Sequence, residues 1–220
     1  LEGSPGPPAT GRLHVASGVA RALRYLHAHQ PQIIHGDLKP ANVLIEFGAL
    51  SVRAKLLDFG LSRIMTATVK PTGGSLAWVA PEQVARNGPR PSPEADMFSF
   101  GRVLHFCATG TNPMSGMSRS AAMRALKGGQ GQATHWPEQP SPFVAACQVL
   151  GEACLDLDPG SRPTAVHASE RVDAWAASEE ICEGTASAAT ESARVARLAR
   201  CEDLGTLGSF EKWDEGARTV

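Results

Sequence analysis

The stretch His35-Gly-Asp-Leu-Lys-Pro-Ala-Asn42 runs directly into Val43-Leu44-Ile45 and is answered downstream by Leu57-Asp58-Phe59-Gly60; no other feature constrains this chain as much. Ile33-Ile34, Val43-Leu44-Ile45 and Ala54-Lys55-Leu56-Leu57 read as short β-prone runs separated by polar or glycine-containing turns. The carboxylates of Asp37 and Asp58 and the carboxamide of Asn42 therefore fall on turns that border small strands. Phosphoryl transfer asks for such a set: one carboxylate to orient and deprotonate an attacking hydroxyl, and oxygen ligands to hold Mg²⁺ on nucleotide phosphates. Asp37 suits the first role, and Asn42 with Asp58 the second. Lys39, two residues beyond Asp37, places a point charge where negative charge redistributes during transfer. The reading requires both acids to face one shared cavity.

Around this core the pattern is mostly helical. Leu13, Ala16, Val19, Ala20, Leu23 and Leu26 recur at three- and four-residue steps and predict a helix that stops before Pro31. Further helices are predicted over 94–108 and 118–127, from Ser141 as N-cap with Pro142 in the first turn, and after Pro163 in the same manner. Residues 1–12, rich in Pro and Gly, read as a linker, and 179–220 as a weakly periodic tail with one helix around 187–200. A net charge of -1 supplies no field for nucleic acid or an anionic membrane surface, and no apolar run is long enough to span a bilayer. Five scattered cysteines, with no CxxC, favour neither a disulfide framework nor a zinc site and point to a reducing, intracellular (cytoplasmic) setting. Cys107, Cys147 and Cys154 read as small buried hydrophobes.

With these motifs in view, the chain resembles the C-terminal lobe of a eukaryotic protein kinase. His35 to Asn42 is similar to the catalytic loop H-R-D-L-K-P-x-N, and Asp58-Phe59-Gly60 to D-F-G. Ala80-Pro81-Glu82 resembles the A-P-E closing the activation segment, Asp96 to Gly101 the buried helix whose Asp holds the catalytic-loop backbone, and Leu157 to Pro163 the late loop whose Arg162 pairs with Glu82. The resemblance implies a mainly α, α+β family fold over 13–178, with short β-strands carrying the catalytic and metal loops. It implies ATP and Mg²⁺ as cofactors, a protein substrate, and Leu44 as the floor beneath adenine. Lys39-Pro40 is the serine/threonine form of the loop, and Gly74-Ser75-Leu76-Ala77-Trp78-Val79 resembles the tyrosine-kinase-like branch, so peptide Ser or Thr is the expected acceptor.

Two departures accompany the resemblance. Gly36 stands where regulated members carry Arg, the cation that pairs with a phosphorylated activation loop, so Thr66, Thr68 and Thr72 are expected to act as solvated hydroxyls rather than switches. Nothing before residue 13 reads as a glycine-rich strand-turn-strand, a strand Lys or its helix Glu, and Lys127-Gly-Gly-Gln-Gly131 reads as a connection instead. The expectation is a catalytic half without its nucleotide-clamping lobe, the continuation of something longer, binding ATP poorly by itself. Two other readings stand beside this one. The joint presence of Asp37, Lys39, Asn42 and Asp58 argues against a pseudokinase or interaction module while the expected missing lobe argues for it, and a small-molecule phosphotransferase, whose loop is often His-Gly-Asp, is disfavoured by the Ala80-Pro81-Glu82, Asp96 to Gly101 and Arg162 motifs. The scattered histidines His27, His29, His105, His135 and His167 are read as ordinary, with no ligand-spaced carboxylate or Cys.

Overall fold

A computed structural model describes residues 9–47, 52–58, 76–84, 91–128, 134–176 and 178. Its elements are α1 (Ala9–His27), a 3₁₀ turn (Pro40–Asn42), β1 (Val43–Phe47), β2 (Val52–Leu56), α2 (Pro81–Val84), α3 (Pro93–Thr109), α4 (Arg119–Lys127), α5 (Pro142–Cys154), a second 3₁₀ turn (Pro159–Ser161) and α6 (Ala165–Ala176). The mainly α expectation holds, with one two-stranded sheet among the described residues.

Every residue of α3 from Ala95 to Ala108 is buried, so this helix is the axis of the core rather than an amphipathic surface element. Its ends are fixed locally. Ser92 Oγ accepts the Ala95 N–H at 3.3 Å, Pro93 occupies the first turn, and Gly110, at φ 73°, closes the far end by donating to the Phe106 carbonyl at 2.8 Å. On one side α3 meets α5 where two glycines face each other. A Cβ on Gly101 would sit 2.8 Å from Cys154 Cβ and 3.0 Å from the Gly151 carbonyl oxygen. On another side α3 packs on α1, which also lies against β2 and α6. The stripe Leu13, Ala16, Val19, Ala20, Leu23 and Leu26 is buried as its periodicity requires.

β1 and β2 run antiparallel, pairing Val43 with Leu56, Leu44 with Lys55 and Ile45 with Ala54. Alternation along β1 buries Val43 and Ile45 and leaves Leu44 half-buried on the opposite face, beside an exposed Lys55–Glu46 contact at 2.6 Å.

Three local readings change. α1 starts at Ala9 instead of 13, because Arg12 is anchored: its Nη1 donates to the Ala108 and Cys107 carbonyls at 3.0 and 3.4 Å, at the end of α3, and its guanidinium lies over the Phe143 ring. Ile33-Ile34 forms no strand; the Ile33 N–H instead turns back to the Leu26 carbonyl at 3.1 Å. Pro163 precedes the cap of α6 rather than occupying its first turn, since Thr164 Oγ1 accepts the His167 N–H at 3.3 Å. Residues 1–8, the threonines 66, 68 and 72, Ser75, the Gly-rich 129–131 and the tail from 179 lie outside the described residues.

Candidate active site

The loop between α1 and β1 hangs from a single buried carboxylate. Asp96, in the first turn of α3 and 1% exposed, accepts the His35 N–H through Oδ2 and the Gly36 N–H through Oδ1, both at 2.8 Å. Two main-chain donors on adjacent oxygens fix the peptide between them, and Gly36 takes φ 75° there, a left-handed conformation that costs glycine almost nothing. Asp96 Oδ2 also receives His27 Nε2 at 2.9 Å, from the last turn of α1. His27 thus has a carboxylate partner, which the sequence reading missed because the two residues lie 69 positions apart.

His35 carries the order onward. Its Nε2 donates to the Leu57 carbonyl at 3.0 Å, and its Nδ1 accepts the Asp37 N–H at 3.3 Å. A carbonyl can only accept and an amide N–H can only donate, so the two partners dictate the neutral Nε2–H tautomer. Burial lowers the His35 pKa below 6.5, against the opposing pull of Asp96, the Leu57 carbonyl, Asp37 and Asp58. Both candidate acids thus act on one imidazole. His35 thus ties Leu57 to Asp37 through a neutral ring.

Asp37, Lys39 and Asn42 meet on one side of the loop, while Leu38 between them turns into the core. Asp37 Oδ2 accepts Lys39 Nζ at 2.7 Å and Asn42 Nδ2 at 3.1 Å, and the Asp37 carbonyl accepts Asn42 Nδ2 at 2.8 Å. Both side-chain bonds fall on Oδ2; among the described residues Oδ1 accepts none, and the Asp37 side chain is 47% exposed. One oxygen is therefore held while the other is left to accept. Asn42 is buried, its NH₂ committed to Asp37, which leaves its Oδ1 as the atom able to ligate.

Asp58 follows directly on the β-ladder. The Leu57 N–H donates to the Asn42 carbonyl at 2.8 Å, while the Leu57 carbonyl takes the His35 bond, so the residue before Asp58 is tied at both ends to the loop between α1 and β1. Asp58 itself is exposed at φ 58°, a left-handed conformation that costs a non-glycine residue about 1–3 kcal/mol. Anchoring of Leu57 on both sides is what holds it there. Asn42 and Asp58 offer the oxygen donors that Mg²⁺ takes. Among the described residues no group of three or more His, Cys, Asp or Glu forms a metal cage, so phosphate oxygens of a nucleotide would have to complete the shell. Leu44 is the one apolar side chain on the outer face of the ladder, the face opposite the core.

The landmarks behind the site also come together. Arg162 grips Glu82 with two bonds, Nη1 to Oε1 at 2.7 Å and Nη2 to Oε2 at 2.9 Å. It also donates to the Glu94 and Asp156 carbonyls and lies 5.0 Å from the Phe98 ring centre. Trp78 is packing: buried, edge-on to Phe106, its carbonyl receiving Ser99 Oγ at 2.7 Å. Cys107, Cys147 and Cys154 are buried, and burial pushes the Cys107 and Cys154 thiols up to about 12 and Cys147 well above its usual range, so all three are inert.

Comparison with known proteins places this geometry. The family described as protein kinase domain matches residues 9–172, most of the chain. That match begins where α1 begins, ahead of the expected boundary at 13, and lends no support to the expectation of a missing lobe. Serine/threonine-protein kinase CTR1 of Arabidopsis thaliana is 34% identical over 156 residues, 70% of this chain and 18% of that protein. Mitogen-activated protein kinase kinase kinase 12 of Rattus norvegicus is 36% identical over 163 residues, 72% of this chain and 17% of its own length. Ankyrin repeat and protein kinase domain-containing protein 1 of Mus musculus is 28% identical over 174 residues, 74% and 22% respectively. The chain thus spans about a fifth of the length of these relatives.

Proposed function

Because the chain belongs to the protein kinase family, we propose that it carries the catalytic loop of an enzyme moving the γ-phosphoryl group of ATP to a protein Ser or Thr. The observation that supports the reading is the arrangement at Asp37: Oδ2 is held by Lys39 and Asn42, Oδ1 accepts no bond among the described residues, and the side chain is 47% exposed. A substrate hydroxyl placed on Oδ1 is oriented and gives up its proton there. Lys39 Nζ, 2.7 Å from the same carboxylate, supplies positive charge beside the transferring group. Mg²⁺, when bound with nucleotide, neutralises phosphate charge, and Asn42 Oδ1 with the Asp58 carboxylate are the atoms that would hold it. Leu44, on the outer face of the ladder, offers the apolar surface for adenine. A protein acceptor, Ser or Thr, is supported by Lys39-Pro40 and by the serine/threonine-protein kinases among the relatives.

In the full-length protein, Asp37→Asn abolishes phosphorylation of a Ser/Thr peptide while leaving Mg-ATP binding within a few-fold. Asp58→Asn abolishes phosphorylation and also weakens Mg-ATP binding. Radiolabel transfer and nucleotide titration measure the two quantities; full transfer by either variant rejects these roles. Nucleotide binding with no transfer by the unaltered protein supports the non-catalytic interaction module instead.

A further inference from the structure

Arg102 does not belong to the site above. It lies midway along α3, is 0% exposed, and neither its Nε nor its Nη1 has a hydrogen-bond partner among the described residues. Its guanidinium lies 5.3 Å from the centre of the Phe98 ring, the ring that Arg162 approaches at 5.0 Å. The two arginines differ in one respect. Arg162 has both oxygens of Glu82 and two carbonyls; Arg102 makes no ion pair among the described residues. A neighbouring group lacks a partner too. His105, one turn on, donates through Nε2 to the His135 carbonyl at 2.9 Å and also feels the Thr111 backbone, and Trp136, edge-on to His105 at 4.8 Å, has an unpartnered indole N–H.

Isolated buried charge is expensive, and arginine does not shed its proton at neutral pH, so a guanidinium enclosed in this way calls for a counter-charge. Burial alone moves the Arg102 pKa, down to about 10, and no carboxylate opposes the shift. Arg102 and His105 are both almost wholly shut off from solvent, so a counter-charge at the guanidinium has to be compact.

We propose that the Arg102 guanidinium anchors an enclosed monovalent-anion site, filled by a halide such as chloride, on the face of α3 that also carries Phe98 and His105. The ion acts as a structural counter-charge, taken up as the chain folds, and the inference is independent of phosphotransfer. An ion bound only in the folded state raises stability with its concentration.

The test is thermal unfolding of the whole chain at constant ionic strength, with sodium gluconate exchanged stepwise for sodium chloride. The expected result is a chloride-dependent rise in the midpoint, about 2–4 °C for a chain of this size, that disappears in Arg102→Met. Equal midpoints in chloride and gluconate, or an undiminished chloride response in Arg102→Met, overturn the proposal. Should Arg102→Met fail to fold, the chloride nuclear-resonance line width of the unaltered chain decides. Broadening that bromide competes away supports the site, and no broadening rejects it.

Discussion

His35 shows how one side chain can be locked in a protonation state by partners that never titrate. The Leu57 carbonyl and the Asp37 N–H leave its ring a single neutral form, and burial lowers its pKa below 6.5. Unfolded, the imidazole takes a proton near 6.5; folded, it resists until lower pH. Between those values the unfolded chain binds more protons, so stability is complete above about 6.5 and falls as pH drops through the window. His105, also lowered by burial, adds with the same sign. Denaturant midpoints measured against pH are therefore expected to be level at neutral pH and to decline in mild acid, with a shallower decline in His105→Asn. A level profile down to pH 5, or a decline unchanged in that variant, contradicts the assignment.

Between elements, close approach does what side chains cannot. A Cβ on Gly18 would lie 2.9 Å from Ala54 Cβ and 3.3 Å from the Ala54 backbone N and O, so glycine lets α1 lie directly on β2. Alanine at a helix interior position gains about 1 kcal/mol in propensity, whereas overpacking against backbone costs about 1–3 kcal/mol. Gly18→Ala is therefore expected to destabilise slightly and Gly18→Val by more, with Ala54→Gly restoring part of the Val loss; chemical denaturation of the single and double variants checks this. The stripe of α1, the Ser141 cap and both strands of the ladder were legible in the sequence because each rests on local spacing. The start of α1, the absence of a strand at Ile33-Ile34 and the His27–Asp96 bond were not, because each depends on a partner distant in the chain or on a turn back to a helix end. The same division runs through the site. Residue types at 37, 39, 42 and 58 were readable from the motif, but the gathering of the Lys39 and Asn42 bonds on one oxygen of Asp37 needed coordinates.

Across the whole molecule, Arg162 joins segments that are far apart in sequence: α2 through Glu82, the start of α3 through the Glu94 carbonyl, and its own loop through Asp156. Arg162→Met strands the Glu82 carboxylate and is expected to cost about 3–5 kcal/mol. Adding Glu82→Gln should return most of that loss, and urea unfolding of the single and double variants measures the coupling. An additive pair, with no recovery, shows that the bidentate contact contributes little. The Leu57 tether has a different reach. Since Leu57 is tied by its N–H to the Asn42 carbonyl and by its carbonyl to His35, neither bond passes through a carboxylate, and neutralising Asp37 or Asp58 is expected to leave the scaffold standing; under the proposed function such a protein is an inert decoy that keeps the shape of the active one.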